Sequence, residues 1–210
     1  MTSRTSFTGT FVMRRFLLIC GAAALLSCTD STSPGVPNAD LHIVQQDSTA
    51  PPLASMQGSF WAKVGEGREI RIGYQPAEPG DSEDAFFRFE VPGDALLRKP
   101  DGTAFQAGDS ILITVTVVDT ANFLFRFEPS GLQFNPDHPA HLKIEYDHAD
   151  HDFNDDGVVN AANTTIEQSL DLWRRESATA PWFRMGAVRF EELEEIDANI
   201  LSFTEYAIAW

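Results

Sequence analysis

From Phe60 onward the chain repeats one pattern, an apolar side chain at every second position with charged or hydroxyl residues between. Ile70, Ile72 and Tyr74 alternate with Arg71, and Phe87, Phe89 and Val91 alternate with Arg88 and Glu90. Ile111, Ile113, Val115 and Val117 enclose Thr114 and Thr116; Phe123, Phe125 and Phe127 follow the same period, as do Leu142, Ile144 and Tyr146 around Lys143 and Glu145. A strand points successive side chains to opposite faces, so each run has one apolar and one wet face. Breakers such as Pro92-Gly93 end the runs at short spacing, which favours antiparallel strands in two sheets packed face to face. The predicted class is therefore mainly β, an antiparallel β-sandwich whose aromatic stripe is core. An aromatic platform for a ligand is the other use of such a stripe, but exposed stacking residues seldom keep so strict an alternation.

One segment departs from period two. Ile166, Leu170 and Trp173 stand at i, i+4 and i+7, which predicts a single amphipathic helix from about 162 to 176, bounded by Pro181. Residues 182–190 and 203–210 read as closing strands, and 191–200 fits either strand or helix.

Just before that helix the sequence reads Asp152-Phe153-Asn154-Asp155-Asp156-Gly157-Val158-Val159-Asn160. Asp152, Asn154, Asp156 and Gly157 match positions 1, 3, 5 and 6 of an EF-hand calcium loop. There, alternating oxygens converge on one ion as the chain curls, and glycine permits the sharp turn. Val158 would offer its carbonyl at position 7, Val159 would face inward at position 8, and Asn160 would serve position 9. Position 12 falls on Asn163, an amide where a bidentate glutamate gives the strongest grip, so the EF-like loop 152–163 predicts a weak Ca2+ site with a structural role. A solvated acidic turn would use the same residues for their turn chemistry alone. His138, His141, His148 and His151 lie close by in paired spacing, a weaker hint of zinc.

The start of the chain bears on place rather than fold. Arg14 and Arg15 precede an apolar run from Phe16 to Leu26, too short for a spanning helix but right for a secretory signal. The run ends in Leu25-Leu26-Ser27-Cys28, which resembles the lipobox of bacterial lipoproteins, and that resemblance implies cleavage before Cys28 and lipidation of its thiol. Residues 1–27 are thus expected to be a lipoprotein signal peptide, with Met13 as an alternative start. Residues 28–58, rich in Ser, Thr, Pro, Asp and Gln, are expected to be the lipidated cysteine and a flexible tether. Thr29 after the cysteine favours the outer membrane if the source is Gram-negative.

Cleavage would remove Cys20 and leave no partner for a disulfide. The whole chain has 15 basic and 31 acidic residues, net −16, and loss of Arg4, Arg14 and Arg15 takes this to −19. A field of that sign repels nucleic-acid phosphates and anionic headgroups, so membrane attachment rests on the acyl chains and no nucleic acid is expected. No small-molecule substrate is indicated.

Two further stretches, FRFEVPGDAL at 87–96 and FEPSGLQFNPDHPAHLKIEY at 127–146, resemble the ZU5-like domain, and FTEYAIAW at 203–210 resembles the strand that ends the region following ZU5 in bacterial lipoproteins. The resemblance spans about residues 59–210 and departs from the family pattern at Asp94. It implies a β-sandwich interaction module. Some animal relatives cleave themselves between a phenylalanine and a serine; Phe203-Thr204 is the corresponding pair here, with no histidine near it in sequence. The leading expectation is a lipid-anchored binding or structural module of the cell envelope, with a protein partner there and one structural Ca2+. The alternative is a metal-dependent hydrolase using the His148–Asp156 loop, although no serine or cysteine nucleophile motif is present.

Overall fold

The computed structural model describes residues 34–78 and 84–210; Cys28, the signal segment and the first part of the expected tether lie outside them. Strand β1 covers Gln57–Lys63, β2 Arg68–Gly73, β3 Ala85–Val91, β4 Leu96–Arg98 and β5 Ser110–Val117. Next come β6 Leu124–Glu128, β7 Gln133–Phe134 and β8 Ala140–Glu145, then helix α1 Ala161–Glu167. The chain closes with β9 Asp171–Arg175, β10 Phe183–Arg184, β11 Val188–Phe190, β12 Glu195–Ile200 and β13 Glu205–Ala209.

These strands form a β-sandwich. One sheet has the order β1-β5-β6-β13-β9-β10 and the other β11-β12-β8-β3-β2, every pairing within them antiparallel; β4 and β7 make a small separate ladder. The period-two residues do as their spacing predicts. Phe87 and Phe89 of one sheet meet Phe125 and Phe127 of the other, with centroids 5.1 Å apart in both Phe87–Phe125 and Phe89–Phe127. Phe134, Phe203 and Tyr206 extend the cluster. Phe89, Phe125, Phe134, Phe203 and Tyr206 are all buried, so the stripe is core and not an exposed platform. Stacked, tilted and edge-on pairs of this kind add about 0.5–1.5 kcal/mol each beyond the area they bury.

The expected helix over 162–176 is shorter and ends at Glu167. Gln168 caps it, and both the N–H and the hydroxyl of Ser169 turn back to the Ile166 carbonyl, at 2.8 and 2.6 Å. Residues 171–175 are strand instead, because they lie between β13 and β10, where ladder pairing satisfies the backbone on both sides. The i, i+4, i+7 spacing of Ile166, Leu170 and Trp173 reflects a change of element: Ile166 and Leu170 pack on the main core, Trp173 on a second cluster behind the sheet. The ambiguous stretch 191–200 divides into a 3-10 turn, Glu191–Leu193, and β12. Residues 182–190 supply β10 to one sheet and β11 to the other.

The second cluster contains Leu41, Trp182, Ala207 and Ala209, joined by Val36 and Ile43. It corrects the expectation of a free tether over 28–58 for residues 36–53, which run across the sandwich as a strap. Val36 pairs with Trp182, Ile43 with Ala209, Gln45 with Asn122, Gln46 with Ala149 and Leu53 with Tyr74. Val44, fully buried, donates to the Ile208 carbonyl (2.9 Å) and accepts from the Phe123 N–H (3.0 Å). The physical reason lies in β13, where all five residues are buried. Tyr206 and Ile208 face the main core, and Ala207 and Ala209 offer a small-residue surface behind it on which Leu41 and Trp182 pack.

Candidate functional site

The 152–163 loop joins β8 to α1, the strand-to-helix placement that its sequence predicts. Asp155 at φ 54° and Gly157 at φ 82° both sit in the left-handed region. A side chain at Gly157 would meet no neighbour, so conformation rather than space calls for glycine there.

The predicted ligand residues gather around the curl. Asp152 accepts from the N–H groups of Asp156 (3.3 Å) and Gly157 (2.6 Å). The Asp156 carboxylate accepts from the Val158 N–H (2.9 Å) and from the Asn154 side-chain amide (3.0 Å). The Val158 carbonyl receives the amides of Asn160 (3.0 Å) and Asn163 (2.8 Å). Asn160 also caps α1, its Oδ1 accepting from the Ala162 N–H at 2.7 Å. Asn163 is 1% exposed and takes the Asn154 N–H on its Oδ1 at 3.2 Å. Position 12 therefore points into the loop, as the spacing requires.

The oxygens that a Ca2+ ion would use are thus hydrogen-bonded within the loop, as in an acidic turn: the Val158 carbonyl takes two side-chain amides, while Asp152 and Asp156 keep lone pairs beyond those used by the loop donors. Asn163 supplies an oxygen without charge. One expected detail differs: Val159 is 66% exposed rather than facing inward. Phe153, 5% exposed, anchors the loop instead, edge-on to Trp210 and His151. The strap borders the site, with the Asp150 N–H on the Gln45 carbonyl and the Asp47 N–H on the His148 carbonyl, both 2.9 Å.

The four histidines do not share one centre. His138 pairs with Asp94 (3.1 Å), His148 with Asp84 (3.0 Å), His151 lies 3.8 Å from Glu194, and His141 sits on β8 opposite Glu90 and Asn199. Thr204 is buried, its hydroxyl directed at the carbonyls of Arg175 and Glu205, with no histidine among its partners.

The outer face of the five-stranded sheet carries a feature that the sequence does not announce. Cross-strand register places Arg71, Arg88, Lys143 and Asp197 in one row. Part of this face, with His141, Asn199 and the overhanging Met185–Val188 segment, lines a cavity of about 480 Å³. Lys143 bonds Glu195 at 2.7 Å, which raises its pKa, and burial with the Glu195 charge raises that of Asp197. One Asp197 oxygen is buried without a hydrogen-bond partner. In sequence these are simply the polar positions of alternating strands, and nothing distinguishes a lined hollow from an ordinary wet face. No family model, curated protein or solved structure matches this chain.

Proposed function

We propose that this chain is a lipid-anchored binding and structural module of the cell envelope, attached through Cys28 and built on a ZU5-like sandwich whose 152–163 loop is held by one Ca2+. The observation that carries the reading is the Leu25-Leu26-Ser27-Cys28 stretch ahead of a self-contained sandwich. The lined hollow beside Arg88 and Lys143 offers a polar surface for a protein partner, and the Asp152, Asn154, Asp156, Gly157 spacing with its left-handed turn at Gly157 supports the ion. Outside the cytosol, millimolar calcium fills even a weak loop. In a Gram-negative cell Thr29 directs the protein to the outer membrane.

Two measurements test this. Membrane fractionation of the wild type and Cys28→Ala should move the protein from the membrane to the soluble fraction; equal partitioning overturns the anchor. Melting in calcium and then in chelator should show a fall on chelation; an unmoved midpoint overturns the structural ion and leaves the anchor untouched.

A further inference from the structure

We propose that Asp84, Asp147 and His148 form a second cation site, one for a first-row divalent transition ion of the zinc class. Asp84 immediately precedes β3 and Asp147-His148 follow β8; these strands are antiparallel neighbours, so the start of one meets the end of the other. His148 Nε2 lies 3.0 Å from Asp84 Oδ2 and 3.8 Å from Asp147 Oδ2, and one ligand atom from each of the three residues falls within 4.8 Å of the others. Ligands about 2.0–2.2 Å from a shared ion stand no more than about 4.4 Å from one another, which both His148 distances satisfy.

His148 Nε2 carries at most one hydrogen, which at 3.0 Å serves Asp84, while Asp147 stands 3.8 Å away and open to solvent. A divalent ion satisfies all three atoms and is neutralised by the two carboxylates. The imidazole selects the class, because Ca2+ and Mg2+ take oxygen ligands whereas zinc-like ions accept nitrogen beside carboxylate. Three protein ligands leave a position open to solvent, which Asp84 and Asp147 border with side chains 57% and 37% exposed.

The site is also held in place. The Asp84 carbonyl accepts from the Tyr74 N–H and the His148 carbonyl from the Asp47 N–H, both at 2.9 Å. The Tyr74 ring stands edge-on to the imidazole with centroids 4.5 Å apart, and its hydroxyl accepts from Gln46 at 3.2 Å. Both ligand-bearing backbones are thereby fixed to the β2 end and the strap. The constellation shares no residue with the 152–163 loop and does not depend on calcium binding there.

The test is calorimetric titration of Zn2+ into the full-length, detergent-solubilised protein with calcium saturating, followed by Co2+ absorption spectroscopy. One Zn2+ per chain is expected, with Co2+ giving a visible spectrum of mixed nitrogen and oxygen ligation. Asp84→Asn and His148→Ala should each weaken Zn2+ binding by about tenfold or more, whereas Asp152→Asn should leave it unchanged. Asp84 is exposed, so Asp84→Asn decides the matter even if His148→Ala does not fold. Absence of saturable Zn2+ uptake, uptake indifferent to Asp84→Asn, or uptake lost in Asp152→Asn overturns the proposal.

Discussion

Replacing Asn163 by aspartate separates a calcium loop from a self-sufficient acidic turn, because only in the first does calcium restore what the substitution costs. Asn163 is 1% exposed; its amide donates to the Val158 carbonyl at 2.8 Å while its Oδ1 accepts the Asn154 N–H at 3.2 Å. Aspartate keeps the acceptor but turns the donor into an oxygen facing a carbonyl oxygen, and it adds a buried charge near Asp152 and Asp156. Loss of the bond and poor solvation of the new carboxylate together cost about 3 kcal/mol without metal. In a domain of this size that lowers the melting midpoint by about 6–12 °C. With calcium, the introduced carboxylate becomes a charged ligand at position 12, and free Ca2+ at about 100 times the dissociation constant returns about 2.7 kcal/mol. Scanning fluorimetry in chelator and in millimolar calcium, with magnesium as control, should therefore show Asn163→Asp well below the wild type without calcium and raised by calcium nearly to the wild type's calcium-free midpoint. A midpoint that falls and does not recover, or one indifferent to the substitution, rules out a calcium ligand at position 12.

Other perturbations probe the frame that carries the loop. Glu205 is nearly buried between two guanidiniums, 2.7 Å from Arg175 and 2.8 Å from Arg126; burial alone would raise its pKa, but hydrogen bonds from Arg126 and Arg175 outweigh this and lower it below 4.5. The stability that it contributes is present above its unfolded value and lost as pH falls through the lower folded one. Urea denaturation should accordingly find Glu205→Gln about 3 kcal/mol weaker at pH 7, with the gap closing on acidification; a gap constant with pH would contradict the ion-pair account. Phe127→Ala removes a ring touching Phe87, Phe89, Phe203 and Tyr206 and should cost about 3–5 kcal/mol by the same assay, whereas a loss below about 1 kcal/mol would mean that the two sheets do not meet there. Val44→Ala should cost about 2 kcal/mol, against nearly nothing for a residue in a free tether.

The sandwich is legible in the sequence because one property, period-two alternation, survives in β3, β5, β6 and β8: Phe87, Phe89, Phe125, Phe127, Leu142 and Ile144 all fall on the buried face. The 152–163 loop is legible because turn chemistry is local, and its Asp, Asn and Gly spacing carries its own geometry. Other features depend on contacts distant in sequence. Leu172 reads as helical until β13 and β10 pair on either side of it. The approach of Asp84 to His148 follows from strand order and register, which no spacing within either segment encodes. The strap does leave a trace, though not in its own residues: Tyr206-Ala207-Ile208-Ala209-Trp210 is continuously apolar, the mark of a strand covered on both faces, and a covering segment is therefore required.

That strap alters what anchoring would mean. A tether of some thirty residues would span roughly 30 Å on average and let the domain range widely. With Val36 paired to Trp182, only residues 29 to 35 separate Cys28 from the fold, and a segment of that length extends at most about 25 Å. On the lipid-anchor proposal the sandwich is held by its Val36 end within that distance of the bilayer surface, and a partner must be met there. The same strap runs beside the proposed zinc site, with the Asp47 N–H on the His148 carbonyl. An ion bound at His148 would therefore tighten the segment through which the anchor connects to the fold. Loosening of the strap, as in Val44→Ala, should weaken zinc binding at His148 through Asp47 and Gln46 without touching a ligand, whereas a solvated histidine unconnected to the strap would show no such coupling.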